Sequence, residues 1–87
     1  MARKLTNRWG HVHDLSRATS VEVIIRPGAR WFSVVALFPS GIDITLFTAK
    51  EWGEAFHLQQ RIQVEIIQRG KDMKVDEETG RLVVDYD

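Results

Sequence analysis

The sequence predicts one small α+β domain, a mostly antiparallel sheet with one helix packed on it, in the order β-β-β-α-β-β-β. Three observations support this class. The 87 residues are enough for a single domain. Apolar and polar residues alternate in several short runs, as in half-buried strands. One stretch near the middle, "FTAKEWGEAF", changes to helical spacing. We divide the chain into a basic, partly mobile N-terminal arm, residues 1–20, and the domain itself, residues 21–87.

The first three predicted strands form an antiparallel meander. "VEVIIR" (21–26) alternates apolar and other residues, and a Pro-Gly turn separates it from "WFSVVALF" (31–38). This second stretch is apolar on both faces apart from one serine, which predicts a central strand or one that is covered on both sides. "PSG" then turns the chain into "IDITLF" (42–47), whose isoleucines and leucine share one face.

The helix is predicted to begin after Thr48. A threonine is a good N-cap, and Glu51 follows it at the spacing of a capping box. Phe47 and Trp52 are placed to pack across the first turn as a hydrophobic staple. The pattern therefore predicts that Trp52 lies in the core.

The end of this helix has two interpretations. Gln59 and Gln63 stand where a continuing helix would need apolar residues, so we end the helix near residues 58–60 and begin a strand at Ile62. The alternative is one helix that runs to Arg69. In both versions "MKVDEETGRLVVDY" (73–86) then forms a hairpin whose loop is Glu-Glu-Thr-Gly.

The charge is zero overall but unevenly spread. Residues 1–31 carry a net +4 and residues 72–87 a net −4. This pattern is typical of a polyanion-binding front with a shielding tail, or of two ends that attract each other or a neighbouring copy. The chain has no cysteine, which excludes disulfides and thiolate metal ligands.

Size and hydropathy set the further expectations. A core this thin is often supported by self-association, so we expect a homodimer. The N-terminus lacks the apolar run of a signal peptide, and no stretch approaches the roughly 18 apolar residues that span a bilayer. We therefore expect no membrane contact and a cytoplasmic location.

The candidate metal ligands are weak. His11 and His13 would point the same way on a strand, and His57 would be a third nitrogen ligand, but no carboxylate recurs at ligand-like spacing. We expect no metal and no cofactor. The chain also has no nucleophile elbow or glycine-rich phosphate loop, so we expect that it is not an enzyme.

The dipeptide Arg-Trp occurs twice, at Arg8–Trp9 and at Arg30–Trp31. Proteins that bind single-stranded nucleic acids combine cations that contact phosphates with aromatic rings on which bases stack. Arg17 and Arg26 lie in the same basic part of the chain. These residues are therefore the candidate site for binding nucleic acid or a protein partner: Arg8, Trp9, Arg17, Arg26, Arg30 and Trp31.

The stretch "VEVIIRPGARWFSVVALFPSGIDITLFTAKEWGEAF" (21–56) resembles the strand–strand–strand–helix core of single-stranded-DNA-binding transcriptional coactivators of the positive-cofactor-four type. The matching elements are a glycine, an Ile-Ser-Leu-like strand, a capped helix start and an early tryptophan, here Gly41, Ile44-Thr45-Leu46, Thr48 and Trp52. The resemblance implies a dimer formed through the helix and a strand face that binds single-stranded DNA. It assigns the hairpin positions to Arg26, Arg30 and Trp31.

Three function classes fit these observations. The first is single-stranded nucleic-acid binding through a basic and aromatic strand face. The alternative is a protein–protein interaction module, such as a phage- or mobile-element-encoded regulator or inhibitor of a host protein. The third is an assembly subunit in which the basic front of one copy meets the acidic tail of the next.

Overall fold

The computed structural model describes residues 3–86, which form a single small α+β domain with one helix and two mostly antiparallel sheets. The predicted fold class is confirmed. The strands are β1 (Lys4–Thr6), β2 (Val12–Asp14), β3 (Ser20–Ile24), β4 (Phe32–Leu37), β5 (Asp43–Ala49), β6 (Asp72–Val75) and β7 (Leu82–Asp85). Helix α1 (Trp52–Ile62) continues directly into a π-helical segment (Gln63–Gln68), so that the whole helix has 17 residues.

The strands are divided between two sheets. One sheet has four strands in the order β2-β1-β6-β7, and the other has three in the order β3-β4-β5. All neighbours are antiparallel except β1 and β6, which are parallel and place Leu5 opposite Met73. The three-stranded sheet is the predicted meander. The second sheet joins the two ends of the chain, which no local pattern in the sequence indicates.

The N-terminal segment differs from the expected arm. Strands β1 and β2 form a hairpin that is built into the four-stranded sheet. Leu5 and Leu15 are fully buried in the core. These strands have three residues each, which is too short for an alternating pattern to stand out in the sequence.

The core lies where the helix packs against both sheets. Its buried members come from the four-stranded sheet, the three-stranded sheet, the helix and the turn after β2: Leu5, Leu15, Val21, Val34, Ala36, Leu46, Ala49, Ala55, Ile62, Ile66, Met73 and Leu82. The helix contributes residues at positions 55, 62 and 66, a spacing that keeps them on one face. No helix within residues 3–86 is long and apolar enough to cross a membrane.

Strand β4 is buried on both faces, as its sequence predicts. All residues from 33 to 36 are buried, and β4 is the central strand of its sheet. Val34 faces the core, whereas Val35 points to the opposite face by the alternation of a strand. Arg26, in the loop after β3, bonds Asp43 and Thr45 on β5, on the other side of β4.

The predicted strand at Ile62 is wrong, and the alternative helix to Arg69 is correct in outline. The glutamines that suggested a break in the helix face the edge of β3. Gln59 Nε2 donates to the backbone oxygen of Val21 at 2.6 Å, and Gln63 Oε1 accepts from the N–H of Val21 at 3.0 Å. The two glutamines occupy positions where the helical pattern would place apolar residues, because they contact the unpaired backbone groups at the edge of β3.

The predicted helix start is also wrong. Thr48 lies inside β5, opposite Ser33, and the N-cap residue is Glu51, which makes no side-chain capping bond. Residues 48 and 49 remain in the strand because Ala49 pairs with Phe32 and is buried in the core. Tertiary burial of the strand end therefore overrides the local capping signal.

Candidate nucleic-acid interface

The loop between β3 and β4 carries three of the six candidate residues. Arg26 is already engaged, since its Nη2 donates to Asp43 Oδ1 at 2.7 Å and to Thr45 Oγ1 at 3.1 Å. Both partners of the ion pair are partly exposed, at 43% and 36%, so the pair itself stabilises the fold by at most about 1 kcal/mol. Arg26 therefore links the loop after β3 to β5 and is less available to a ligand than a cation without a partner.

Arg30 and Trp31 are available at the end of this hairpin. Trp31 is 48% exposed, and Arg30 is exposed and makes no ion pair or hydrogen bond within residues 3–86. Lys50 directly follows Ala49, which pairs with Phe32, so Lys50 lies at the same end of the sheet as Trp31. It is exposed too and forms no ion pair in the described part of the chain.

A stacked aromatic pair lies at this end of the sheet. The rings of Trp52 and Phe56 are 4.8 Å apart and inclined by 13°. Trp52 is 53% exposed and Phe56 41%, so the expectation that Trp52 is a core residue is wrong. The helix buries the row that contains Ala55 and Ile62, and the stacked pair lies on the adjacent row, which also carries Gln59.

We call this surface the aromatic end and define it by Arg30, Trp31, Lys50, Trp52 and Phe56. It combines exposed rings with two free cations on the end of the three-stranded sheet. Sequence reasoning missed Lys50 and Phe56. The apparent capping box predicts a helix start in this segment, and such a signal does not indicate which side of the helix is exposed.

The second Arg-Trp pair lies at the tip of the β1–β2 hairpin. Trp9 is 76% exposed, and the guanidinium of Arg8 lies 5.8 Å from the centre of its ring, within range of a cation–π contact. Asn7 shapes the tip, because its Oδ1 accepts the N–H groups of Trp9 and His11, each at 3.0 Å. A cleft of about 360 Å³ separates this tip from residues 45–48 of β5.

An acidic loop lies beside that tip. Strands β1 and β6 are parallel neighbours, so the loops that follow them emerge at the same end of the sheet. A cleft of about 530 Å³ has Asn7 and Gly10 on one side and residues 76–78, Asp-Glu-Glu, on the other. Carboxylates within the Debye length of about 8 Å reduce the attraction of a phosphate to Arg8. The basic front and acidic tail of the sequence therefore meet within one chain.

Arg17 lies apart from both Arg-Trp pairs. It belongs to the turn between β2 and β3, where the N–H of Thr19 donates to the carbonyl of Leu37, at the far end of β4 from Trp31. Asp14 supports this turn: the backbone N–H of Ser16 donates to its carboxylate at 2.9 Å. This bond, with help from the Ser16 hydroxyl, lowers the pKa of Asp14 below its ordinary value of 3.8.

The histidines do not converge. His11 is exposed at the hairpin tip, His13 is half-buried in β2 and His57 is exposed on the helix. Within residues 3–86, no group of three or more histidine, aspartate or glutamate side chains could hold a metal ion.

Comparison of the chain with protein-family models, with curated proteins and with solved structures found no match. The resemblance of residues 21–56 to coactivators of the positive-cofactor-four type therefore stays a prediction.

Proposed function

We propose that this chain is a non-enzymatic binding protein whose aromatic end binds single-stranded nucleic acid. The observation that carries the proposal is the half-exposed ring of Trp31 at the same end of the sheet as two free cations, Arg30 and Lys50. A base that stacks on an exposed ring gains about 1–3 kcal/mol, and a nearby cation attracts the flanking phosphate. The stacked rings of Trp52 and Phe56 offer a second aromatic surface at the same end of the sheet.

The other basic candidates are less suited to phosphate contact. Arg26 is bonded to Asp43, and Arg8 belongs to the hairpin tip that borders the acidic loop at 76–78. Two free cations make the salt dependence weak: the logarithm of the affinity should fall with the logarithm of salt concentration with a slope of about −1.4. A much steeper slope would mean that more basic residues take part than Arg30 and Lys50.

The test is a fluorescence-anisotropy titration with a labelled single-stranded oligonucleotide, with the duplex of the same sequence as a control. Trp31→Ala should weaken binding by about 5- to 150-fold, because it removes one stacking platform. Trp9→Ala is the matched control, since it removes the same side chain from the other Arg-Trp pair and should change little. If both variants bind as the parent does, or if the parent does not bind at low salt, the proposal fails.

A second experiment separates the two Arg-Trp pairs. The double variant Glu77→Gln/Glu78→Gln removes two negative charges next to the tip that carries Arg8 and Trp9. If the aromatic end is the binding surface, the affinity for the oligonucleotide at physiological salt should stay within about twofold, since interactions with exposed charges outside the binding surface are largely screened there. A clear gain in affinity would move the site to the β1–β2 tip.

Protein–protein interaction is the second candidate function, and the charge balance favours it. Domains that bind nucleic acids are usually basic, whereas this chain has a net charge of zero. Large apolar side chains are also exposed within residues 3–86: Trp9, Val12, Ile25, Trp31, Ile42, Ile44, Trp52, Phe56 and Tyr86. Absence of oligonucleotide binding at low salt would favour this class, because attraction between a basic surface and a polyanion is strongest there.

A further inference from the structure

Strand β3 has an edge that is only half satisfied. Gln59 and Gln63 bond both backbone groups of Val21, so the N–H and C=O of Val21 point away from β4. In an antiparallel pair every second residue points outward in this way. Val23, and Ile25 directly after the strand, therefore direct their N–H and C=O groups to the same free edge. No strand within residues 3–86 pairs with it, since β3 is the last strand of its sheet.

An apolar flank lies beside the open half of this edge. Ile25 is 60% exposed. Trp52 and Phe56 lie on the same row of the helix as the two glutamines, one and two turns nearer its start. The helix starts after β5, at the end of the sheet where β3 also finishes. An unpaired edge next to exposed apolar side chains is a site for pairing with another strand.

We propose that this edge pairs with the same edge of a second copy of the chain, antiparallel and with the two-fold axis at Ile24. Val23 then exchanges two backbone hydrogen bonds with the partner's Ile25, and Ile25 does the same with the partner's Val23. Glu22 lies directly opposite the partner's Arg26 on the outer face, and opposite charges in that arrangement attract. The three-stranded sheets of the two copies then form one continuous sheet of six strands.

The register follows from which backbone groups are free. A shift of two residues in one direction places Ile25 opposite the partner's Val21, whose N–H and C=O are already bonded by glutamines. A shift in the other direction places Val23 opposite the partner's Pro27, which has no N–H to donate. A shift of one residue places residues whose N–H and C=O point to the free edge opposite residues whose N–H and C=O point toward β4. Only the register centred on Ile24 uses every open group of the edge.

Charge and side-chain chemistry favour a second copy as the occupant. The edge is self-complementary, with Glu22 before its centre and Arg26 after it. In the single chain Arg26 bonds Asp43 and Thr45 on the far side of β4, and because this ion pair is exposed and weak, Arg26 can exchange Asp43 for the partner's Glu22. An unrelated strand would have to supply both charges in the same order. The proposal does not depend on nucleic-acid binding, because Arg30 and Trp31 lie outside the paired residues.

The test is the mass of the full chain in solution, measured by analytical ultracentrifugation across a range of concentrations. We expect a reversible rise from the 10.0 kDa of one chain to twice that mass. Glu22→Lys replaces two attractive contacts by two repulsive ones and should raise the dimer Kd by about tenfold. Glu78→Lys, the same change on the exposed acidic loop, is the control and should leave the Kd unchanged.

A backbone variant tests the hydrogen bonds. Ile25→Pro removes an N–H that no other group in the sheet uses, so the monomer should keep its fold while the dimer is lost. Circular dichroism checks the fold. Hydrogen exchange supplies a readout without mutation: the amides of Val23 and Ile25 should become protected as concentration rises. A chain that stays monomeric overturns the proposal, as does a dimer that Glu22→Lys leaves intact and in which neither amide is protected.

Discussion

Gln59 and Gln63 bond the backbone of Val21 at the edge of β3, and the two hydrogen bonds run in opposite directions. Gln63 accepts from the N–H of Val21, whereas Gln59 donates to its carbonyl. A glutamate has the same shape as a glutamine but can only accept when ionised. Gln63→Glu should therefore keep its bond, and Gln59→Glu should lose its bond and set a negative charge against the carbonyl oxygen.

The magnitudes follow from the burial of Val21, which is 1% exposed. An unpaired polar group at such a position costs about 1–3 kcal/mol. We expect Gln59→Glu to cost at least about 2 kcal/mol, and Gln63→Glu less than about 1 kcal/mol. In a domain of this size, 1 kcal/mol corresponds to about 4–8 °C in Tm. The two variants should therefore differ by several degrees although they carry the same charge.

The assay is urea unfolding at neutral pH, followed by circular dichroism, with Gln68→Glu as the matched control. Gln68 is exposed near the end of the same helix and makes no hydrogen bond through its side chain in the described part of the chain. Its replacement should cost a few tenths of a kcal/mol at most. Equal costs for Gln59→Glu and Gln63→Glu, or costs no greater than that of the control, would refute the assigned roles of the glutamines.

Three further predictions concern stability and use the same unfolding assay. Leu5→Ala should cost about 2–5 kcal/mol, because a fully buried side chain leaves a cavity; a cost below about 1 kcal/mol would mean that the N-terminal hairpin is not part of the core. Gly70 ends the helix with φ of +70°, so Gly70→Ala should cost about 1–2 kcal/mol. Gly53 lies inside the helix, where an added methyl meets nothing within 4 Å, so Gly53→Ala should stabilise the protein by about 1 kcal/mol. A change of the same sign in both variants would contradict this account. The bond from Ser16 lowers the pKa of Asp14, so the stability that it contributes is present above the ordinary value of 3.8 and is lost as pH falls through the lowered pKa. The stability gap between the parent and Asp14→Ala should therefore close in acid, and a gap that is independent of pH would count against the bond.

The three-stranded sheet was predictable from residues 21–47, although β5 continues to Ala49. Strand β4 has apolar residues on both faces, and the structure buries both. The C-terminal hairpin was predictable as well, because its Glu-Glu-Thr-Gly loop separates two alternating runs that form β6 and β7. These features depend on neighbours along the chain, where side-chain alternation and turn residues act directly.

The candidate site was predictable only in part. The sequence indicates the exposed Arg30 and Trp31, but no pattern shows that Asp43 holds Arg26. The apposition of Arg8 to the acidic loop depends on the parallel pairing of β1 with β6, whose residues are 68 positions apart. Which charges are free for a ligand is a property of such long-range contacts, and the local sequence does not encode them.

Local sequence patterns were sufficient to predict the α+β class, the meander of β3 to β5 and the last hairpin. The tertiary structure alone decided the length of the helix, because glutamines at 59 and 63 break the apolar pattern yet satisfy the edge of β3. It also decided that the N-terminal segment joins the fold, through Leu5 and Leu15. The physical reason is the same in both cases: a side chain's role depends on the group that it meets, and that group comes from a distant part of the chain.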